Sequence, residues 1–304
     1  MTTFVSIDHN FSHYLANTFP ANYDAEQEHE AVEALVDNKE INLCLSMWNL
    51  VEPVMRNDTD YINRVSEIIE MLSPLWLTER LAIQKMELRH FVYANYFNYE
   101  NDQRPENIVF NELLSQSVYS LGAEFVRIGE TAQQFMEDLS ENPRDIRTLE
   151  QSFMATLDAL NTLQDAQRQG GLTREQKEQV WMEWLRLFMP ERNPDNDRMT
   201  TNEINEIIEA CMNQRDLICT TCPAIAIEDA FCDYRIINPD RNPRLGDAPD
   251  LAHFVVSMAY CDIFLTNDGY LHEGANFIEG RLQIPQASLC RSYVEIVDYI
   301  DAHQ

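Results

Sequence analysis

The sequence predicts an α/β fold, with a parallel sheet flanked by helices and a large helical block in mid-chain. Two apolar runs, Phe4–Ile7 and Ile263–Leu265, are each bounded by polar residues, which is typical of strands buried on both faces. Residues 57–215 instead carry their apolar side chains almost only at helical spacing. We therefore expect a discontinuous α/β domain formed by residues 1–56 and 216–304, with 57–215 as an all-α insertion or subdomain.

The N-terminal segment predicts strand, helix, helix, strand and helix in that order. After the first strand, Phe11, Tyr14 and Leu15 recur at helical spacing, and residues 24–37 form an acidic amphipathic helix. Ile41, Leu43 and Leu45 alternate as in a half-buried strand, and Ser46 can cap the helix that follows. That helix carries Glu52, next to a proline that favours a local distortion.

The helical block predicts helices over 58–72, 75–97, 106–138 and 145–168. Thr173 can cap the next helix, and Thr200 with Glu203 forms a capping box for 201–213. After a helix at 223–237 and a turn-rich linker, a buried helix opens at Asp250 and leads into the strand Ile263–Leu265. We expect a short helix at 270–280, a last strand at Leu282–Ile284 and a final helix capped by Ser288.

Composition restricts the class of protein. The chain has 304 residues and is 45% hydrophobic, enough to bury a core, yet no apolar run approaches the ~20 residues of a membrane span. Neither a secretory signal nor a disulfide framework is apparent, since the seven cysteines are odd in number and scattered. We therefore expect a soluble cytoplasmic protein. The net charge of −29 repels nucleic acid, so a nucleic-acid function requires a local basic patch, a bridging cation or a basic partner.

Four short motifs at the two ends of the chain together resemble PIN-like domains. Ile7-Asp8-His9-Asn10 resembles the first strand and first acid, and Glu52, six residues after Ser46, resembles the second acid in the helix after the second strand. Asp250-Leu251-Ala252-His253 is similar to the acid that opens a later helix, and Leu265-Thr266-Asn267-Asp268 to the end of the fourth strand. The resemblance implies a Mg²⁺- or Mn²⁺-dependent nuclease, most often acting on RNA.

Phosphodiester hydrolysis explains why such a site contains carboxylates. Carboxylate oxygens are hard ligands for Mg²⁺ and Mn²⁺, and a bound cation activates water. Two carboxylates 4 Å apart repel by about 4 kcal/mol at an effective dielectric of 20, so four at one sheet edge require a cation or a proton. We assign Asp8, Glu52 and Asp250 to the principal metal and Asp268 to completing the shell or a second metal. Asp247 and Thr266 are candidate supporting residues behind the ligands.

Each acid also has a structural interpretation. Asp8 is suited to a turn or cap, Asp250 to a plain N-cap, Asp268 to a turn before Gly269, and Glu52 to a solvated helix face. Asp262 precedes its strand, so we place it at the opposite edge of the sheet as a cap.

Other candidate sites are weaker. His253 is expected to be packed or hydrogen-bonded, and neither the His9/His13 pair nor Cys219 with Cys222 is expected to bind metal.

Three functions remain open. The first is a ribonuclease in which Arg235, Arg241 and Arg244 guide the RNA backbone to the metal; a solvated linker is the alternative for these arginines. The second is a catalytically silent PIN-like protein whose helical insertion binds a protein partner. The third is an unrelated all-helical scaffold, which predicts no parallel sheet.

Overall fold

The computed structural model describes residues 2–56, 58–99, 108–117, 131–142, 158, 161–162, 164–238 and 247–303. Within them, six strands form one sheet: β1 (Thr3–Ile7), β2 (Ile41–Ser46), β3 (Leu75–Leu77), β4 (Phe110–Asn111), β5 (Ile263–Leu265) and β6 (Ser288–Cys290). The strand order is β4-β3-β2-β1-β5-β6, and every pair is parallel except the antiparallel pair of β3 and β4. The predicted α/β class with a mostly parallel sheet is confirmed, and an all-helical scaffold is excluded.

Helices flank this sheet on both faces. They are α1 (His9–Ala16), α2 (Ala25–Asp37), α3 (Trp48–Met55), α4 (Thr59–Leu72), α5 (Arg80–Tyr96), α6 (Leu114–Ser117), α7 (Ala132–Glu141), α8 (Arg174–Phe188), α9 (Thr201–Asn213), α10 (Arg215–Thr221), α11 (Pro223–Ile237), α12 (Asp247–Tyr260), α13 (Gly269–Glu279) and α14 (Tyr293–His303). No helix among these described residues is both long enough and apolar enough to cross a membrane.

Alternation along the strands divides the core into two layers. In β5, Ile263 and Leu265 face a cluster that includes residues of α1 to α4, α7 and α14, whereas Phe264 faces α11, α12 and α13. All three side chains are fully buried, which explains why this strand is a continuous apolar run in the sequence.

A third apolar cluster lies within the helical block. Residues of the second half of α5 pack there against α8, α9 and α10, together with Ile225 of α11. Thr173 caps α8 and Thr200 forms a capping box with Glu203 on α9, as predicted.

The segment 57–215 differs from the prediction because it contributes strands as well as helices. β3 lies where we expected the start of a long helix, and β3 and β4 both join the sheet at its far edge. In addition, α4 and α7 pack in the same cluster as α1 and α3 instead of in the separate helical cluster. The segment is therefore not wholly an all-α insertion, because part of it completes the α/β core.

The C-terminal strand also differs from the prediction. β6 is Ser288–Cys290, paired in parallel with β5, whereas Leu282 and Ile284 pack as partly buried side chains outside any strand. Ser288 therefore begins a strand instead of capping the last helix, which begins at Tyr293.

The two central strands create a crevice at one edge of the sheet. The chain proceeds from β1 to β2 and β3 on one side, and from β5 to β6 on the other. The direction of strand addition thus reverses between β1 and β5, and ligands bind at the carboxyl ends of strands at such a point. The amide N–H of Asp8 donates to the carbonyl oxygen of Leu265 at 2.9 Å, joining the two strand ends.

Candidate metal centre

Asp8 lies at the exact end of β1 and is almost fully buried, at 2% exposure. It occupies the position before α1, but its side chain makes no capping hydrogen bond there. Instead, Oδ2 accepts a hydrogen bond from the Thr266 hydroxyl at 2.8 Å and a longer one from the Asn10 amide at 3.4 Å. Capping therefore does not explain this buried carboxylate.

Asp250 lies close to Asp8, across the end of the sheet. The helix α12 begins at Asp247, so Asp250 lies in its first turn and does not open it as predicted. One potential ligand atom each of Asp8, His9 and Asp250 lies within 4.8 Å of the others. Among the described residues, the half-buried Asp250 carboxylate accepts no hydrogen bond and forms no ion pair, although the charge of nearby His9 lowers its pKa.

His9 joins the first and second acids. Its Nδ1 lies 3.5 Å from Oδ1 of Asp8, and its Nε2 pairs with Oε2 of Glu52. Glu52 is therefore held toward the site by an imidazole and is not a solvated helix residue. His9 was considered only as part of a pair with His13 that was not expected to bind metal, and its contact with Glu52 was not predicted, because the two residues are 43 positions apart.

Thr266 and Asp268 complete the arrangement from the end of β5. The buried Thr266 hydroxyl donates to Asp8 and accepts from the amide N–H of Asp268 at 3.2 Å. Thr266 therefore contacts a ligand candidate directly, as expected of a supporting residue. Asp268 also caps α13, because its Oδ1 accepts from the amide of Tyr270 at 2.6 Å.

The electrostatics show that these side chains interact. Burial raises the pKa of Asp250 well above its ordinary value, and the charges of Asp8, Glu52 and Asp268 raise it further. Burial opposes ionisation of Asp8 as well, but hydrogen bonding and the charge of His9 leave its pKa below the ordinary value. Burial lowers the pKa of His9, yet its bonds to Asp8 and Glu52 raise it to about 10.

A layer of neutral polar groups supports the site from below. Asn49 accepts from the amide of Ser46 at 2.9 Å and donates to the carbonyl of Ile7 at 3.0 Å, which fixes the start of α3 against the end of β1. His253 is buried, as predicted, with Nε2 3.3 Å from the Ser46 hydroxyl. Burial lowers the pKa of His253 to about 4, so it is neutral at physiological pH.

Arg235 and Asp247 form a buried ion pair, with exposures of 2% and 3%. Arg235 also lies over the ring of Tyr270. The prediction that Arg235 guides RNA is therefore wrong, because its guanidinium is not accessible to a phosphate. Arg241 and Arg244 lie outside the described residues. Asp247, the proposed supporting acid, pairs with Arg235.

Two further predictions concern residues away from the site. Asp262 accepts a hydrogen bond from the amide of Phe4 at 2.8 Å, at the amino ends of β1 and β5 and hence at the opposite edge. Cys219 and Cys222 carry free thiols, and neither belongs to a potential metal-binding cluster in the part of the chain that the structure describes.

The donor set fits a divalent cation. Asp250 is a half-buried carboxylate without a hydrogen bond or ion pair; three further carboxylates raise its pKa, and the charge of His9 offsets only part of that effect. Such crowding is costly unless a proton or a cation intervenes, and hard oxygen ligands favour Mg²⁺ or Mn²⁺. Of the four predicted carboxylates, Asp8 and Asp250 belong to this group of potential metal ligands, whereas Glu52 and Asp268 lie outside it.

No family model, curated protein or solved structure matches this chain.

Proposed function

We propose that this protein is a Mg²⁺- or Mn²⁺-dependent nuclease that hydrolyses phosphodiester bonds, with RNA as its substrate. The observation that carries the proposal is the proximity of Asp8 and the unpartnered Asp250 at the point where strand order reverses. Glu52 and Asp268 act electrostatically on the same group.

The order of the four acids supports a PIN-like assignment. Asp8 follows the first strand, Glu52 lies in the helix after the second, and Asp268 follows the fourth parallel strand. Asp250 lies in the helix that leads into that fourth strand. These are the positions that the resemblance predicts for the acids of PIN-like nucleases. The unit formed by α8 to α10, and the contact of His9 with Glu52, are features that the resemblance did not predict.

Different residues of the chain would bind the metal and orient its ligands at such a site. A bound Mg²⁺ or Mn²⁺ would lower the pKa of a coordinated water and offset charge on the phosphate. Thr266 occupies Oδ2 of Asp8 and so fixes the orientation of that carboxylate. His9 orients Glu52, and its positive charge limits the repulsion among the acids.

Cleavage of single-stranded RNA tests this proposal. We expect cleavage by the wild type only with Mg²⁺ or Mn²⁺, and its loss in Asp8→Asn and Asp250→Asn. Thr266→Val should weaken metal affinity or activity by about 10–100-fold, as is typical for residues that orient metal ligands. Asp262→Asn is the matched control, because it removes a carboxylate from the opposite edge of the sheet and should retain activity.

A metal titration separates catalysis from binding. Mn²⁺ should raise the melting temperature of the wild type and of Asp262→Asn more than that of Asp8→Asn. Equal stabilisation of all three would exclude the assigned metal centre. Metal binding without cleavage of any nucleic acid would instead favour the silent, partner-binding alternative.

A further inference from the structure

Three side chains of α1 and its C-cap extend in a row from the carboxylates toward solvent. His9, His13 and Asn17 lie four residues apart, so each step advances about 6 Å along the helix. Opposite them lie one acid and two arginines. Glu52 of α3 pairs with His9, Arg56 at the end of α3 contacts His13, and Arg64 of α4 contacts Asn17.

Arg56 and Arg64 are exposed and lack an acidic partner. Among the described residues, no carboxylate lies within salt-bridge distance of either guanidinium. An acid pairs with each of Arg80, Arg168, Arg174, Arg186, Arg215, Arg235 and Arg281. Arg89, Arg192, Arg198 and Arg291 also lack such a pair among the described residues, so what distinguishes Arg56 and Arg64 is their place beside His9 and Glu52. Two arginines without an ion pair therefore lie beside the acidic centre, in a chain of net charge −29 whose exposed acids Asp58, Asp60 and Glu67 are close to them in sequence.

Neutral groups hold both arginines. Nη1 of Arg56 lies 3.4 Å from Nδ1 of His13, which also faces the Tyr61 hydroxyl at 2.8 Å and the Asn17 amide at 3.0 Å. Burial, the charge of Arg56 and that of His9 all lower the pKa of His13 below its ordinary value, which disfavours a positive charge on its imidazole. Nη2 of Arg64 donates to Oδ1 of Asn17 at 3.2 Å.

Tyr61 further restricts Arg56. The guanidinium carbon lies 5.0 Å from the centre of the buried Tyr61 ring, a cation–π geometry. Arg56 is therefore oriented by an aromatic ring and an imidazole while its charge remains unneutralised. Guanidinium groups held in this way are suited to phosphate, which they bind through paired N–H donors.

We propose that Arg56 and Arg64, positioned by His13, Tyr61 and Asn17, bind the sugar-phosphate backbone of single-stranded RNA and lead it to the carboxylate centre. This inference rests on the proposed nuclease function and names its substrate-binding surface. It replaces the basic patch predicted around Arg235. A nucleic-acid strand fits these two arginines better than an acidic peptide does, because its charge recurs regularly, once per nucleotide, and Arg56 and Arg64 contact two successive steps of the row, at His13 and Asn17.

RNA binding at varied salt tests the inference. In an Asp250→Asn background, which prevents cleavage, we would compare the parent with the added pair Arg56→Gln and Arg64→Gln, using fluorescence anisotropy of a labelled single-stranded RNA. Each lost phosphate contact lowers the slope of log affinity against log salt by about 0.7, so the double variant should lose about 1.4. Affinity at about 50 mM salt should also fall several-fold.

The matched control is the pair Arg174→Gln and Arg186→Gln. Both arginines are exposed on α8, outside the row along α1, and their loss changes net charge by the same amount. In this control, the slope of log affinity against log salt should equal that of the Asp250→Asn parent. Single-stranded DNA of the same sequence shows whether the surface requires RNA, and polyglutamate tests an acidic polypeptide.

The outcomes separate the two proposals. RNA cleavage by the wild type with an unchanged salt slope in the Arg56/Arg64 variant would overturn this inference and leave the nuclease standing. An equal loss of salt slope in the Arg174/Arg186 control would show that the effect arises from net charge alone, and it would also overturn this inference. Binding of polyglutamate but not RNA would assign the surface to an acidic protein. Absence of both RNA binding and cleavage would overturn both proposals.

Discussion

Asp250 is the residue at which the proposed metal binding and the stability of the metal-free protein oppose each other most directly. Its pKa lies well above the ordinary 3.8, so the metal-free protein loses stability as the pH rises above that value and the unfolded carboxyl ionises. We expect Asp250→Asn to stabilise the metal-free protein by about 0.5–2 kcal/mol near neutral pH, measured by urea denaturation with a chelator present. Asp262→Asn should give no such gain. Destabilisation by Asp250→Asn would contradict the crowding of carboxylates.

His9 also makes the stability of the metal-free protein depend on pH, but here the folded state favours the charged form of the side chain. Its pKa of about 10 lies above the unfolded value of 6.5, so the folded protein holds a proton that the unfolded chain has lost between these values. The stabilisation is complete below pH 6.5 and disappears as the pH rises to about 10, with an upper limit of about 5 kcal/mol. Urea denaturation in chelator should show a smaller decline for His9→Gln over this range. Equal declines would exclude the bridge between Asp8 and Glu52.

At the level of single residues, the sequence predicted where the four acids lie relative to the strands and helices, and Thr266 as a supporting residue, but not the contacts that His9 and Arg56 make. Asp8 and Asp268 follow recognisable strands, and strand ends meet at one edge of a parallel sheet. The contacts of Glu52 with His9, and of Arg56 with His13, depend on how α3 lies beside α1. Helix packing of this kind leaves no fixed spacing in the sequence. Arg235 was predicted to be exposed and to bind RNA, because it lies near a polar linker in the sequence. It is buried instead, in an ion pair with Asp247.

The packing of α13 against α11 depends on a glycine. A Cβ atom at Gly274 would lie 2.3 Å from Cε2 of Phe231 and 3.3 Å from the Tyr234 ring. We expect Gly274→Ala to lower the free energy of unfolding by about 1–3 kcal/mol, because the ring must move within a filled core.

Gly269→Ala is the control in the same helix, since no atom lies within 4 Å of its added Cβ. The preference for alanine over glycine, about 0.5–1 kcal/mol, applies to helix interiors, and Gly269 is the first residue of α13, so this variant should be close to neutral. Chemical denaturation of the two variants measures the difference. A Gly274→Ala variant as stable as Gly269→Ala would show that α13 does not pack closely on α11.

At the level of elements, strand length decided what could be predicted. β1, β2 and β5 are bounded apolar or alternating runs, and each was predicted close to its observed position. β3 has three residues, Leu75–Leu77, directly before a long helix, so its apolar residues merged with the helical pattern. β6 is defined by its pairing with β5 and not by its own composition, since Ser288 and Leu289 are only half-buried.

For the whole molecule, the candidate site and the sheet form together. Val5 pairs with Ile263, and Ser6 with Phe264, which joins segments more than 250 residues apart. Asp8 and Asp250 meet only when this central pairing is in place. Metal binding at the proposed site would therefore be coupled to the global fold, because a site absent from the unfolded chain adds its binding free energy to stability.

The net charge of −29 makes a last prediction at this scale. Raising the ionic strength from about 0.01 to 0.1 M shortens the screening length from about 30 to 10 Å, which reduces self-repulsion across the folded molecule. The melting temperature of the metal-free protein should rise, and a gain of about 1 kcal/mol corresponds to about 2–4 °C. NaCl and LiCl should act alike at equal ionic strength, because screening does not depend on the identity of the cation. A difference between them, or a fall in melting temperature, would contradict this mechanism.

Divalent cations also screen, so the specific part of Mn²⁺ stabilisation is the difference between wild type and Asp8→Asn at equal ionic strength.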